Sequence, residues 1–258
     1  MIPRAFITNW KHAAPWISDA QVEQDLVLSR ALVEIFSDEL LGEALAFRGG
    51  TALHKLYFAP APRYSEDIDL VQVKAEPVGP VIDRLREILG YLGAPKIKQK
   101  DRNTTLIFRF ETEVEPVINM RLKVEINCRE HQFIFGTMKK SYTVDSPWFS
   151  GSAELTTFEL EELLATKVRA LYQRRKGRDL FDLWYADQHA DIDWSRVMSA
   201  FRQIMKNDGT PVTDKQLRLN LEEKLTHSDF LIDIPNLLRP GILSVPQNLH
   251  FDFLELYS

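Results

Sequence analysis

The sequence predicts an α+β fold, with a mixed sheet and flanking helices followed by a C-terminal bundle of helices. Three observations predict it. DIDL at 67–70 and RLKVEIN at 121–127 alternate polar and apolar residues with the period of two of a half-buried strand. Between those strands apolar residues recur at helical spacing, as at Val81, Leu85, Ile88, Leu89 and Leu92. From about residue 156 onward the pattern is mostly helical, which sets a boundary near 150 and divides the chain into 1–150 and 151–258.

The elements follow in order. Ser18 and Gln21 read as a capping box opening a helix from Asp19 to the region of Leu41, with Leu28, Ala31, Leu32, Ile35 and Phe36 on its apolar stripe. Residues 44–47 read as a short strand, Gly49-Gly50 as a turn, and 51–57 as a helix that Pro60 and Pro62 end. An acidic strand is expected at 68–73 and a helix at 77–93. Further strands are expected at 104–110, 120–127 and 141–144. Thr156 and Glu159 read as another capping box, before a helix lined by Leu160, Leu163, Leu164, Val168 and Leu171. More helices are expected at 178–189, 194–205, 213–225 and 228–238, then a tail with Pro246 and a short apolar end at 251–256.

With 258 residues, 45% of them hydrophobic and 27% charged, the chain has the composition of a soluble globular protein. Its net charge of −5 speaks against a surface coated in basic charge for nonspecific nucleic-acid binding, while leaving room for a local basic groove. Cys128 is the only cysteine, so no internal disulfide can form, and a reducing cytoplasmic home is expected. The opening residues lack the apolar core of a signal peptide, and no run approaches the roughly 20 apolar residues that span a bilayer. No membrane partner is therefore expected.

The chemistry is concentrated in FRGGTALHKLYFAPAPRYSEDIDL, residues 47–70. On an extended strand Asp67 and Asp69 point the same way, while Ile68 and Leu70 point into a core. Two carboxylates on one face repel unless a cation lies between them, and Mg²⁺ suits hard oxygen ligands and substrate phosphates. Gly49, Gly50 and Thr51 bring backbone N–H groups and a hydroxyl to a helix start, where negative charge is favoured. Alternation in RLKVEIN puts Lys123, Glu125 and Asn127 on one face. Glu125 joins the aspartates if its strand lies beside theirs.

Other candidates each carry a plainer alternative. Lys167 sits at the edge of an apolar helix face and needs a partner, either a triphosphate or a nearby carboxylate. Asp179 and Asp182 share a helix face, and Asp179 is read equally as a structural ion-pair member or a catalytic group. Arg63 either neutralises phosphate or pairs with Glu66, and Ser65 either meets the nucleotide or shapes its loop. The basic run 173–178 is a phosphate contact or a solvated helix end. The six histidines show no zinc spacing.

FRGGTALHKL with RYSEDIDL resembles the core motif of the DNA polymerase beta-like nucleotidyltransferase superfamily. DLVLSRALVEIF, LKVEINCRE and ELLATKVRALYQRRKGRDLFDLW narrow the resemblance to the AbiEii family of nucleotidyltransferase toxins, from type IV toxin–antitoxin and phage-abortive systems. It covers residues 21–184. It implies a nucleotidyltransferase-like catalytic domain over 1–150 and a helical domain completing its cleft over 151–258. Asp67, Asp69 and Glu125 would hold Mg²⁺, with Mn²⁺ as the alternative, and Glu125 would orient the attacking hydroxyl. Gly49, Gly50, Thr51, Arg63 and Ser65 would meet the NTP, and Lys167 and Asp179 would line the same cleft. The implied partners are an NTP, an RNA (tRNA) or protein acceptor, and a separately encoded antitoxin. Two rival functions are transfer to a small molecule such as an antibiotic and a non-catalytic nucleotide- or partner-binding module. An Asp-x-Asp glycosyltransferase is a third, which the early glycine turn does not suggest.

Overall fold

The computed structural model describes residues 2–100, 103–113 and 115–242. The expected apolar end at 251–256 lies outside the described residues. The α+β class read from the sequence is the one observed. The chain forms two compact units, Met1–Phe158 and Glu159–Ser258.

The first unit is built on a mixed five-stranded sheet in the order β1-β2-β5-β4-β3. Its strands are β1 (Leu45–Arg48), β2 (Asp67–Gln72), β3 (Lys96–Lys100), β4 (Asn103–Glu111) and β5 (Asn119–Asn127). β2 and β5 pair in parallel, and every other neighbouring pair is antiparallel. One face carries Phe47, Ile68, Leu70, Leu106, Phe108, Leu122, Val124 and Ile126, all essentially inaccessible. Helix α2 (Asp19–Ser37) packs against β2 and β5, burying Leu26, Leu28, Leu32 and Ile35. A strand pair, β6 (Met138–Ser146) with β7 (Phe149–Thr157), completes the unit. The Thr157 hydroxyl donates to the Phe47 carbonyl at 2.7 Å and ties β7 to β1. Helix α1 (Arg4–Trp10) is held by a hydrogen bond from Trp10 Nε1 to Asp25 Oδ1 at 2.9 Å.

Several expectations are corrected. The expected helix from Asp19 to Leu41 is two. Asp38 takes an extended conformation and its side chain accepts from the Leu41 N–H, capping α3 (Glu39–Ala44). Neither expected capping box forms, since the Ser18 hydroxyl makes no cap bond and Thr156 donates instead to the Gly42 carbonyl at 2.9 Å. A box does form at Thr213 and Gln216, opening the helix Asp214–Leu225. Helix α4 (Gly49–Leu56) starts at the first glycine, whose φ of +80° turns strand directly into helix. The expected helix at 77–93 is shorter, as α5 (Gly79–Ile88) and a 3₁₀ turn (Gly90–Leu92).

The second unit is helical, with α6 (Leu160–Gln173), α7 (Gly177–His189), α8 (Trp194–Asn207), α9 (Asp214–Leu225) and α10 (Ser228–Ile232). Its core includes Leu164, Val168, Phe181, Val197, Phe201 and Phe230. Among the described residues, no helix is long and apolar enough to cross a membrane.

Candidate active site

β2 and β5 lie side by side, so their polar residues share a face. In the parallel register Asp69 is opposite Glu125, and Asp67 is opposite Lys123. The alternation of both strands turns Ile68, Leu70, Val124 and Ile126 inward and leaves the three acids half-buried on the other side.

Lys123 lies among these acids. Its Nζ is 2.7 Å from Glu125 Oε2 and 3.6 Å from Asp67 Oδ2. Burial works against its charge, but the hydrogen bond to Glu125 and the fields of Asp67, Glu125 and Asp69 outweigh it and raise its pKa. Burial raises the Asp67 pKa; Lys123 opposes that shift, and Glu66 and Glu125 reinforce it. Half-buried negative charge is thus gathered on this face and partly compensated by one ammonium.

Helix α4 meets the same place from β1. A Cβ on Gly49 would stand 2.2 Å from Asp69 Oδ2 and 3.0 Å from the Asp69 Cβ. Gly49 therefore answers two demands, a positive φ and the close seat of the Asp69 side chain. The N–H groups of Gly49, Gly50 and Thr51 form the first turn of α4, where helical N–H groups lack intrahelical acceptors. The Thr51 hydroxyl is engaged inside the chain. It donates to the Asp67 carbonyl at 2.6 Å and so accepts from Ser65 Oγ at 2.8 Å. Thr51 is buried, so what α4 offers a phosphate at this position is its backbone, while Thr51 and Ser65 lock the loop to β2. Arg63 is also buried and donates to the Tyr64 carbonyl at 3.0 Å.

Asp67, Asp69 and Glu125 are thus brought onto one face at adjacent positions without closing on one point. Among the described residues, no three His, Cys, Asp or Glu side chains are gathered as a metal cluster. The donor set nevertheless suits a hard divalent ion, since all three side chains offer carboxylate oxygens and an ammonium already sits between two of them.

Lys167 and Asp179 belong to the second unit. Lys167 Nζ lies 2.8 Å from Asp182 Oδ2 and 3.2 Å from Asp179 Oδ1, with all three side chains buried. Arg174 grips Asp179 with two hydrogen bonds of 2.7 and 2.9 Å. Burial pushes the Asp179 carboxyl up, but Lys167 and Arg174 outweigh it and hold the group below its ordinary value. Of the partners weighed for Lys167, the carboxylates are present.

Lys123 was placed on the acidic face by alternation, yet the sequence reading gave it no role. Its signal was the i, i+2 spacing to Glu125, which became specific only once β5 was known to border β2. Arg48 is opposite Asp69 in register, and its Nη1 pairs with Glu130 Oε2 at 2.5 Å, a partnership 82 residues apart that local pattern does not reveal.

The fold, a mixed sheet with flanking helices followed by a helical unit, is that of a nucleotidyltransferase-type protein. The chain belongs to the nucleotidyl transferase AbiEii toxin family of type IV toxin–antitoxin systems, whose family model matches residues 30–246. Among solved structures it is similar to MenT4, a nucleotidyltransferase toxin of Mycobacterium tuberculosis. The TM-score is 0.65 at 17% identity, covering 100% of this chain and 87% of that one. It is also similar to a protein of H. pylori described as a candidate nucleotidyltransferase, with a TM-score of 0.50 at 19% identity, covering 84% of this chain and 88% of that one. Both likenesses concern the fold. No curated protein matches.

Proposed function

We propose that the chain moves a nucleoside monophosphate from an NTP to an acceptor hydroxyl and releases pyrophosphate. The observation that carries this reading is the juxtaposition of Asp67, Asp69 and Glu125 on paired strands, against the Gly49 start of α4. Asp67 and Asp69, joined by Glu125, would hold Mg²⁺ or Mn²⁺, which when bound supplies positive charge at the α-phosphate and the leaving pyrophosphate.

The chain's own residues do the rest. The first-turn N–H groups of α4 cradle the phosphates at a helix N-terminus. Ser65 and Thr51 fix the loop before β2, and Arg63 acts by holding that loop in shape. Glu125 accepts the proton of the acceptor hydroxyl as its oxygen bonds to the α-phosphorus. The bond from the α-phosphorus to the bridging oxygen breaks, and the electron pair leaves on pyrophosphate. Lys123 steadies the Glu125 carboxylate until substrate arrives. Family membership supports a separately encoded antitoxin as partner, and in this reading Lys167 and Asp179 take part in nucleotide handling.

The test is incubation of the purified chain with each NTP labelled at the α-phosphate, Mg²⁺, and cellular RNA or protein. Label is expected in one macromolecular fraction with the wild type and in none with Asp67→Asn or Asp69→Asn. Failure of every NTP to label any fraction would refute the reading.

A further inference from the structure

In the register of β2 with β5, Asp67 and Asp69 on one strand stand beside Lys123 and Glu125 on the other, all four on one face. Paired strands are roughly 4.8 Å apart and alternate residues roughly 6.8 Å apart along a strand, so a lysine at this corner reaches acids on both strands. The Lys123 ammonium does so, at 2.7 Å from Glu125 Oε2 on its own strand and 3.6 Å from Asp67 Oδ2 on the neighbour. β4 and β5 carry two further cations on this face, Arg109 and Arg121. They are opposite each other in the next row and, among the described residues, make no ion pair.

An isolated half-exposed ion pair stabilises a fold little. Lys123 differs in what it touches. It bridges two carboxylates from two strands, and the three side chains are 29%, 35% and 34% exposed, open enough for a solute to reach. It cancels one of the three negative charges gathered on this face. The third acid has little room to retreat from the other two, because the Asp69 side chain is seated so close to Gly49 that no Cβ fits between them. Without the ammonium, three like charges would be held together by the register alone.

The same contact stands against the ion proposed for these acids. Mg²⁺ and Mn²⁺ take carboxylate oxygens as ligands, and the Glu125 oxygen nearest Lys123 already accepts a charge-assisted hydrogen bond. An ion that takes this oxygen must break that bond, and an ion shared by Asp67 and Glu125 would lie within a few ångströms of a like charge.

We propose that Lys123 is an internal competitor for the divalent ion, a stand-in cation that must release Glu125 and Asp67 before the three acids load. The inference rests on the transferase reading and concerns the regulation of that same site. The stand-in keeps the carboxylates gathered before the ion arrives, at the cost of affinity for the ion.

The test is Mn²⁺ binding to the purified full chain without nucleotide, read by electron paramagnetic resonance, for the wild type, Lys123→Met, Lys123→Arg and Asp69→Asn. Lys123→Met should bind Mn²⁺ roughly 10- to 150-fold more tightly than the wild type, the worth of a hydrogen bond to a charged group that the ion no longer breaks. Lys123→Arg keeps the charge and should bind more weakly than Lys123→Met, and Asp69→Asn should bind more weakly than the wild type. In chelator Lys123→Met should unfold at lower urea than the wild type, and a fixed Mn²⁺ concentration should raise its midpoint by more. A check on the wild type alone is amine acetylation read by mass spectrometry. Lys123 should label faster in saturating Mn²⁺ than in chelator, while Lys215 in the second unit labels equally in both. Mn²⁺ affinity in Lys123→Met equal to or below that of the wild type would overturn the proposal and leave Lys123 a structural ion pair. So would Lys123 labelling that ignores Mn²⁺. Mn²⁺ bound by none of the four chains would overturn it together with the metal assignment. Tighter Mn²⁺ binding by Lys123→Met in a chain that transfers no nucleotide would sink the transferase reading and leave the competitor standing.

Discussion

Gly49→Ala tests the core of the site, and Gly136→Ala is its internal control. Both glycines have a positive φ, +80° and +82°. Around Gly136 a Cβ would meet nothing within 4 Å, whereas at Gly49 it would meet the Asp69 side chain at 2.2–3.0 Å. The backbone cost is shared, about 1–2 kcal/mol for an L residue in the left-handed region. At Gly49 the Asp69 side chain must also leave its seat, about 0.5–1.5 kcal/mol if it is forced off a rotamer. Urea denaturation should therefore show a loss of about 1–2 kcal/mol for Gly136→Ala and about 1.5–3.5 kcal/mol for Gly49→Ala. Activity should separate the two further. A displacement of about 1 Å at a reacting centre costs roughly 100-fold, so Gly49→Ala should lose at least that much nucleotide transfer and Gly136→Ala almost none. Equal transfer in the two variants, or a Gly49→Ala protein as stable as wild type, would refute the close seating of Asp69.

Thr51→Val removes a buried hydroxyl that donates to the Asp67 carbonyl and receives from Ser65; it should cost about 1–3 kcal/mol in urea, with Thr51→Ser close to wild type. Lys167→Met leaves Asp179 and Asp182 without their ammonium and should cost about 3–5 kcal/mol. Measured by calorimetry under conditions where that variant stays folded, unchanged NTP affinity would assign Lys167 to packing. The Asp179 carboxyl lies below its ordinary value in the folded chain, so its stabilisation is complete above about pH 4 and is lost as pH falls through the folded value. Acid denaturation curves should show this loss in the wild type and lack that part of it in Asp179→Asn.

Much of the fold was legible because its signals are local. Alternation in DIDL and RLKVEIN placed both central strands, and apolar spacing placed α6 to α9 within a few residues. β3 was missed because KIKQK buries neither face; it is a strand through pairing with β4 alone. β7 was missed because its fully buried residues, Leu155–Thr157, are bunched at one end, and the half-buried positions that alternate before them run through Gly151 and Ala153, too small to mark an apolar face. The capping boxes misled because a spacing of three residues specifies reach but not competition, and Thr156 found the Gly42 carbonyl instead. For the site, the i, i+2 aspartates could be read directly. What Lys123, Arg109 and Arg121 face depends on strand order, which no segment of the sequence carries.

The parallel pairing of β2 with β5 has a consequence for synthesis. Asp69 and Glu125 are opposite one another only after the intervening helix and two strands have folded between them. A polypeptide interrupted between β2 and β5 holds the glycine start and both aspartates but not the third acid. On the proposed assignment of Glu125, nascent or truncated forms would be inert, and the ribosome would finish most of the first unit before nucleotide transfer could begin.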